Sequence, residues 1–386
     1  MKKIRVLFPY VEAGFGHIMT MRSICQTFRK KYGDKVEVVE SDFYTETGNK
    51  HLIKYEQMMA RQVKMFNAHP AVGHFANGTS EFFGPVLSSL GAIRLVAPFA
   101  FKAGVEHMRE LNADVVFSTH WATNYYAEHL ENKPRTVMYC PDAQLNKFFE
   151  YHADFNMMSM PYGYEKALRK RRYDIHNMRM VPFLIRNEAF EVETDKKALR
   201  KKLGLPENNF TVLLVEGAYG MGKTEVICKL LAKEHFPVTV IPVCGKNEKL
   251  YKRLKALPTT PEVTLVPYGF TEGILELESA SDIFCGKSGN MIGEQTFYGN
   301  PSIITNCSNI IEHDIADHYI NSVGCAIKVL SPKKTVSVLK RFANDPSLME
   351  PYRKAARDYR PQFGSERAAD VLWEKLKEWF PELADT

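Results

Sequence analysis

Two stretches of this sequence place glycines beside titratable side chains at spacings that could hold or move charge. In the first, an apolar run at 283–285 passes through Gly286, Ser288 and Gly289 into a predicted helix at about 290–298, ended by Gly299. The first N–H groups of a helix have no partner inside it, and its dipole places partial positive charge there. A diphosphate fits at Ser288, Gly289 and Asn290 without a metal. Glu294, one turn further on, could span two ribose hydroxyls with one carboxylate; read alone, it could equally be a solvated helix residue. In the second stretch, the predicted strand 4–9 leads into a tight turn with Gly14, Gly16 and His17. An imidazole with an ordinary pKa of ~6.5 suits a general base, although an isolated histidine is as readily an N-cap or a core residue. Glu12 and Asp142, the latter at the carboxyl end of a predicted strand, are further candidate bases.

A third stretch, Gly217-Ala-Tyr-Gly220-Met-Gly222-Lys223-Thr224, has the letters of a phosphate-binding P-loop between a strand and a helix. Three observations weigh against that reading. The motif opens the second half of the chain, so a whole domain precedes it. No apolar strand closes on a magnesium-binding aspartate, since Asp282 begins its strand. A glycine-rich turn also serves wherever backbone must approach a ligand or another loop.

The elements that would position these residues fall into two similar halves. Strands are predicted at 4–9, 36–40, 114–118 and 136–140, then again at 211–216, 238–243, 263–266, 282–285 and 301–304. Helices are expected at 19–31, 196–202, 225–234 and 290–298. Short Val-rich runs alternating with helices indicate an α/β class with parallel sheets. The expected organisation is an N-terminal Rossmann-like domain over 1–186, a charged boundary at 186–208, a second such domain over 208–365, and a terminal segment 366–386. That segment carries an amphipathic helix, with Leu372, Trp373, Leu376 and Trp379 on one face, expected to pack on a domain surface. Two doubly wound units facing each other would form a cleft at the carboxyl ends of both sheets.

The 386 residues, 45% hydrophobic and 25% charged, exclude a disordered chain or a small disulfide scaffold. A net charge of +6 suits phosphate-bearing ligands or an anionic surface and does not argue for nucleic acid. The seven cysteines form no C-x-x-C pair, so neither a zinc site nor a disulfide framework is expected and a reducing cytosol is the default. The N-terminal apolar run meets Glu12 too soon for a signal peptide, and the charge-free stretch 82–93 is well short of the ~20 residues a membrane span needs. Residues 55–109 are rich in Met and Phe, with Arg61, Lys64, Arg94 and Lys102 interspersed. They could pack as core or dip into a lipid surface. The cluster Lys166, Arg169, Lys170, Arg171 and Arg172 could meet anionic lipid or be a solvated basic helix.

Four pieces in order resemble the monogalactosyldiacylglycerol synthase and processive diacylglycerol glucosyltransferase group, glycosyltransferases of GT-B architecture. They are Glu12-Ala-Gly14-Phe15-Gly16-His17, like that group's Asp-Thr-Gly-Gly-Gly-His; Val243-Cys244-Gly245-Lys246-Asn247, like its Cys-Gly-Arg-Asn segment; Tyr268-Gly269-Phe270-Thr271; and Lys287-Ser288-Gly289 through Glu294. The chain departs from the group at Glu12 and Phe15. It also lacks the His and Trp usual after Pro141-Asp142, and has Glu312-His313-Asp314 where relatives carry sugar-contacting Gln-Glu or Gln-Gln before Asn. The resemblance implies inverting transfer of a hexose from a UDP-sugar to a lipid, a diacylglycerol or glycosyldiacylglycerol, with no metal or other cofactor. Donor contacts would come from Gly14, Gly16, Gly217, Gly220, Gly245, Asn247, Phe270, Ser288, Gly289, Asn290, Glu294, Glu312 and His313, with Lys223 or Lys287 adding charge. His17, Asp142 or Glu12 would take the acceptor proton. The implied partners are a UDP-sugar and a lipid acceptor at an anionic membrane surface, and the implied location is cytoplasmic, peripheral on an inner membrane face. A P-loop ATPase or kinase, and a sugar-nucleotide epimerase or non-catalytic binder of the same fold, are the competing readings.

Overall fold

The computed structural model describes residues 3–11, 15–68, 92–143, 153–170, 173–217, 220, 222–307 and 310–384. Glu12, Gly14, Phe75, Phe82, Phe83, Arg171, Arg172 and part of the 217–222 turn lie outside the described residues, as does the side chain of His17. The chain divides into two compact units. The first comprises Met1–Asn187 and Gly364–Thr386, the second Glu188–Phe363.

Unit 1 contains β1 (Arg5–Tyr10), β2 (Glu37–Asp42), β3 (Val115–Ser118), β4 (Arg135–Cys140), β5 (Phe155–Met158) and β6 (Met178–Met180). They form one sheet in the order β2-β1-β3-β4-β5-β6, with every neighbouring pair parallel. Unit 2 contains β7 (Phe210–Val215), β8 (Val238–Val243), β9 (Val263–Leu265), β10 (Ile283–Lys287), β11 (Ser302–Asn306) and β12 (Ala326–Lys328). Its sheet runs β12-β11-β10-β7-β8-β9, again all parallel. Parallel strands need crossovers on both faces, so they are buried on both sides and read as unbroken apolar runs. β8, Val-Thr-Val-Ile-Pro-Val, is buried at every position.

The structure adds detail to two expectations and changes a third. The charged segment 186–208 spans the division between the units at Asn187 and Glu188. Its helix Lys196–Lys202 is fastened to unit 2: Lys196 Nζ donates to Asn300 Oδ1 at 2.7 Å and to the Ser281 carbonyl, and Arg200 donates to Asp282 Oδ2 at 2.7 Å. The half-buried Asp282 carboxylate is matched by cations from this segment. The terminal helix, Glu366–Trp379, packs into unit 1. Leu372, Trp373 and Leu376 join Phe8, Phe28 and Phe117 in one core, and Trp373 stacks on Tyr32 with centroids 4.6 Å apart. Finally, Gly16 and His17 do not lie in a turn ahead of the first helix. That helix runs Phe15–Tyr32 and holds both in its first turn.

Doubly wound sheets take ligands at the carboxyl edge where strand order reverses. In unit 2 the reversal falls between β7 and β10, the first and fourth strands of the arrangement three-two-one-four-five-six. In unit 1 it falls between β1 and β3.

Candidate functional site

At the carboxyl end of β7 stand the buried Glu216 and then Gly217, whose backbone φ is +84°. At the end of β10 stand Lys287, Ser288 and Gly289. A Cβ at Gly217 or Gly289 would meet no described atom within 4 Å, so bare backbone at both strand ends borders open space. Gly220, at φ +55°, is the opposite case: a Cβ there would collide with the Cys244 carbonyl at the end of β8. Only glycine tolerates both that φ and that approach. The helix Met291–Phe297 is short and begins in a tight first turn, with Ile292 N–H donating to the Gly289 carbonyl at 3.1 Å and Gly293 N–H to that of Asn290 at 2.9 Å.

Several expected donor contacts have other commitments. Asn247 caps the helix Glu248–Lys255; its Oδ1 accepts from Leu250 N–H at 3.0 Å and its Nδ2 donates to the Gly220 carbonyl at 3.3 Å. The residue braces the glycine turn from behind. Gly245, at φ +55°, makes the corner between β8 and that cap. Lys287, expected to add charge for a diphosphate, pairs with Glu312 at 2.6 Å. His313 Nδ1 accepts from Lys328 Nζ at 2.9 Å. Glu294 is buried, not a solvated helix residue. Phe270 is 55% exposed, which excludes a core role, and Lys246 Nζ lies 5.9 Å from its ring centroid.

The P-loop letters do not carry P-loop contacts. Lys223 Nζ donates to the Thr305 and Leu330 carbonyls, both at 2.6 Å. Thr224, the would-be magnesium ligand, is buried. Asp282 sits before β10, at the amino edge of the sheet, bonded to Arg200 and the Thr211 N–H. Among the described residues no group of three or more His, Cys, Asp or Glu could hold a metal. Glu216 was not anticipated; a carboxylate ending an otherwise apolar strand was the available signal. Thr305 Oγ1 donates to its Oε1 at 2.6 Å. Burial raises its pKa above the usual glutamate value, against the opposing pull of the Thr305 hydroxyl, the Asn306 side chain and Lys223.

In unit 1 the corresponding strand ends carry ionisable groups. β1 leads to His17, β4 to the half-buried Asp142, and β3 to His120, which sequence reasoning passed over. His120 caps the helix Trp121–Ala127: its Nδ1 accepts from Ala122 N–H at 3.3 Å. Beneath it, Ser118 Oγ lies 2.6 Å from Thr123 Oγ1 and donates to Asn124 Oδ1 at 2.9 Å.

No family model matches the chain. It is similar to a probable monogalactosyldiacylglycerol synthase of Nicotiana tabacum, 24% identical over 373 residues, covering 88% of this chain and 64% of that protein. It is also similar to a processive diacylglycerol beta-glucosyltransferase of Bacillus pumilus, 29% identical over 163 residues, or 42% of each chain. The chain therefore spans less than two thirds of the length of these relatives. Among solved structures, S. aureus MnaA with UDP superposes with a TM-score of 0.63 at 13% identity, covering 99% of this chain and 97% of that one. Acinetobacter baumannii MurG gives 0.58 at 13%, covering 96% and 99%. The chain has the two-unit α/β fold of the GT-B glycosyltransferases, and in sequence it resembles the monogalactosyldiacylglycerol synthase and processive diacylglycerol glucosyltransferase group.

Proposed function

We propose that this chain is a glycosyltransferase that moves a hexose from a UDP-sugar to a lipid, a diacylglycerol or glycosyldiacylglycerol, with inversion at the anomeric carbon. The observation that carries the reading is the strand-order reversal of unit 2. It brings the open backbone of Gly217 and Gly289 to adjacent strand ends, in a chain whose relatives are named for such transfers. On this reading the N–H groups of the Gly217 turn and of Gly289 and Asn290, with the Ser288 hydroxyl, hold the diphosphate. Glu294 holds the ribose, and the exposed Phe270 stacks on uracil.

In the reaction an acceptor hydroxyl oxygen forms a bond to the anomeric carbon as the bond from that carbon to the diphosphate oxygen breaks. UDP leaves with the electron pair. Each preorganised N–H on the departing oxygens is worth roughly 3 kcal/mol, so no metal is needed. The acceptor's proton passes to a base on unit 1. His17 is the first choice and Asp142 the second. Lipid contact is assigned to unit 1, where Leu95 and Phe99 are 67% and 69% exposed near the basic Arg94 and Lys102. Lys166, Arg169 and Lys170 would add ~1 kcal/mol each at an anionic surface. Among the described residues no helix is long and apolar enough to cross a membrane, and the reading is of a peripheral protein on an inner, cytoplasmic face.

The test is thermal melting with UDP or ATP, with and without magnesium, followed by incubation with radiolabelled UDP-hexoses and a lipid extract. The expected result is a metal-independent UDP shift, abolished by Glu294→Ala, and label in the lipid phase. A magnesium-dependent ATP shift lost in Lys223→Ala would overturn the reading in favour of a P-loop enzyme. UDP binding with no labelled lipid would leave an epimerase or a sugar-nucleotide binder.

A further inference from the structure

The Gly217–Thr224 letters remain unexplained by the proposed reaction, and the geometry around them gives them a task. We infer that Glu216 and Lys223 clasp the glycine turn at both ends onto a single residue, Thr305. This clasp positions the backbone of Gly217, Gly220 and Gly222 for the donor diphosphate. The inference rests on the donor reading above.

The starting point is an irregularity in the sheet. β10 and β11 pair Gly286 with Ile304 but Lys287 with Asn306, so the register skips Thr305. A skipped residue is released from the ladder and its side chain is re-aimed, and such bulges recur beside functional sites. Both freed groups of Thr305 are used. Its hydroxyl donates to Glu216 Oε1 at 2.6 Å, and its carbonyl accepts from Lys223 Nζ at 2.6 Å. Glu216 follows β7 and Lys223 precedes the helix Thr224–Leu231, so these flank the two ends of the turn. β7 and β11 are not neighbours; β10 lies between them. The clasp therefore reaches across the strand whose own end carries Ser288 and Gly289, and Ser288 N–H donates to the carbonyl of Asn306, next to Thr305. Both backbone segments assigned to the diphosphate hang from Thr305–Asn306.

The turn is also shaped against the clasp. A Cβ at Gly222, where φ is +121°, would collide with the Glu216 carboxylate. Glu216 and Thr305 are both buried, so loss of either partner leaves a polar group unsatisfied and cannot be made good by water. The P-loop lysine thus acts on backbone, and its reach to a second carbonyl, that of Leu330, leaves it pointing along the sheet edge instead of at a phosphate.

Thr305→Val removes the hydroxyl and keeps the carbonyl. UDP titration by calorimetry should show Kd raised ~10-fold, the cost of one hydrogen bond to a charged or buried partner. Amide exchange across 217–223 should quicken, the acceptor KM should stay put, and Thr305→Ser should restore both. If Thr305→Val does not fold, Lys223→Met serves the same comparison. Unchanged exchange and unchanged Kd in the variant, with wild type binding UDP, would overturn the clasp alone. Faster exchange with unchanged Kd would overturn its role in positioning the donor. Wild type that binds no UDP would sink the donor reading itself, and the clasp's role with it.

Discussion

The two units solve the same folding problem and then part company at the edge of the sheet. At the carboxyl edge of unit 2 several side chains already have protein partners: Asn247 the Gly220 carbonyl, Lys287 Glu312, and Glu216 Thr305. Gly217 and Gly289 leave bare backbone toward open space. Beyond the strand ends at the reversal in unit 1 come His17, in the first turn of its helix, and His120, with Asp142 just after the next strand. Backbone N–H groups do not titrate, so they suit a ligand whose charge must be held at any pH. Imidazoles near their pKa suit a proton that must move. On the proposed reading, binding belongs to unit 2 and acid–base chemistry to unit 1.

Separate duties predict separable losses. His17→Ala should lower kcat for transfer by ~10³-fold, within the usual range for a lost general base, while the melting shift with UDP stays at the wild-type value. If the UDP shift disappears along with transfer, the division of labour fails. The reverse pattern is expected for Glu294→Ala.

Acid should distinguish the units by stability. His318, in unit 2, is buried with Nε2 3.0 Å from the Tyr359 hydroxyl, and burial pulls its pKa down from 6.5 to about 4. The unfolded chain then binds a proton that the folded chain refuses. Stability from this group is complete above the unfolded value and is lost as pH falls from ~6.5 through about 4, by roughly 3 kcal/mol in full. Calorimetry between pH 7 and 4.5 should show the transition of unit 2 moving down, and His318→Gln should flatten that slope. An equal slope in the variant would remove His318 as the cause.

Gly220→Ala sharpens the comparison from the other side. Its φ and the Cys244 carbonyl leave no room for a methyl group, and such strain costs about 1–3 kcal/mol. The expected result is a lower melting temperature for unit 2, a weakened UDP shift, and no change in unit 1. A variant with wild-type UDP affinity would show that the turn is not the diphosphate site.

Much of this was legible because a buried parallel strand is written in one letter class. β8 was expected over the same residues that form it, and the helix Lys196–Lys202 likewise. β5, β6 and β12 were not found: Phe-Asn-Met-Met, Met-Arg-Met and Ala-Ile-Lys have little β-branched content, and they are strands because a neighbour's edge recruits them. At the site, glycines that open a strand end could be read from spacing. Commitments across the sheet could not. The Lys287–Glu312 pair joins residues from different strand ends, and Thr305 matters only because a bulge turns it out of the ladder. Local sequence says which backbone can be bare; only the register says which side chains are already taken.

The smallest expected effect tests that last point. Asn247 was expected as a donor contact and is instead a helix cap that also holds the Gly220 carbonyl. Asn247→Ala should cost about 1 kcal/mol of stability through the lost cap. Asn247→Asp keeps the capping oxygen but loses the amide that reaches Gly220. If Asn247 only braces the turn, the Asp variant should recover the melting temperature yet bind UDP a few-fold more weakly than wild type, about 1 kcal/mol for one neutral hydrogen bond. A direct contact with the diphosphate predicts much more, because the new carboxylate would repel the ligand: affinity should then collapse in Asn247→Asp and recover at high salt, where exposed charges are screened. Salt-independent, few-fold weakening is the outcome that the capping geometry requires.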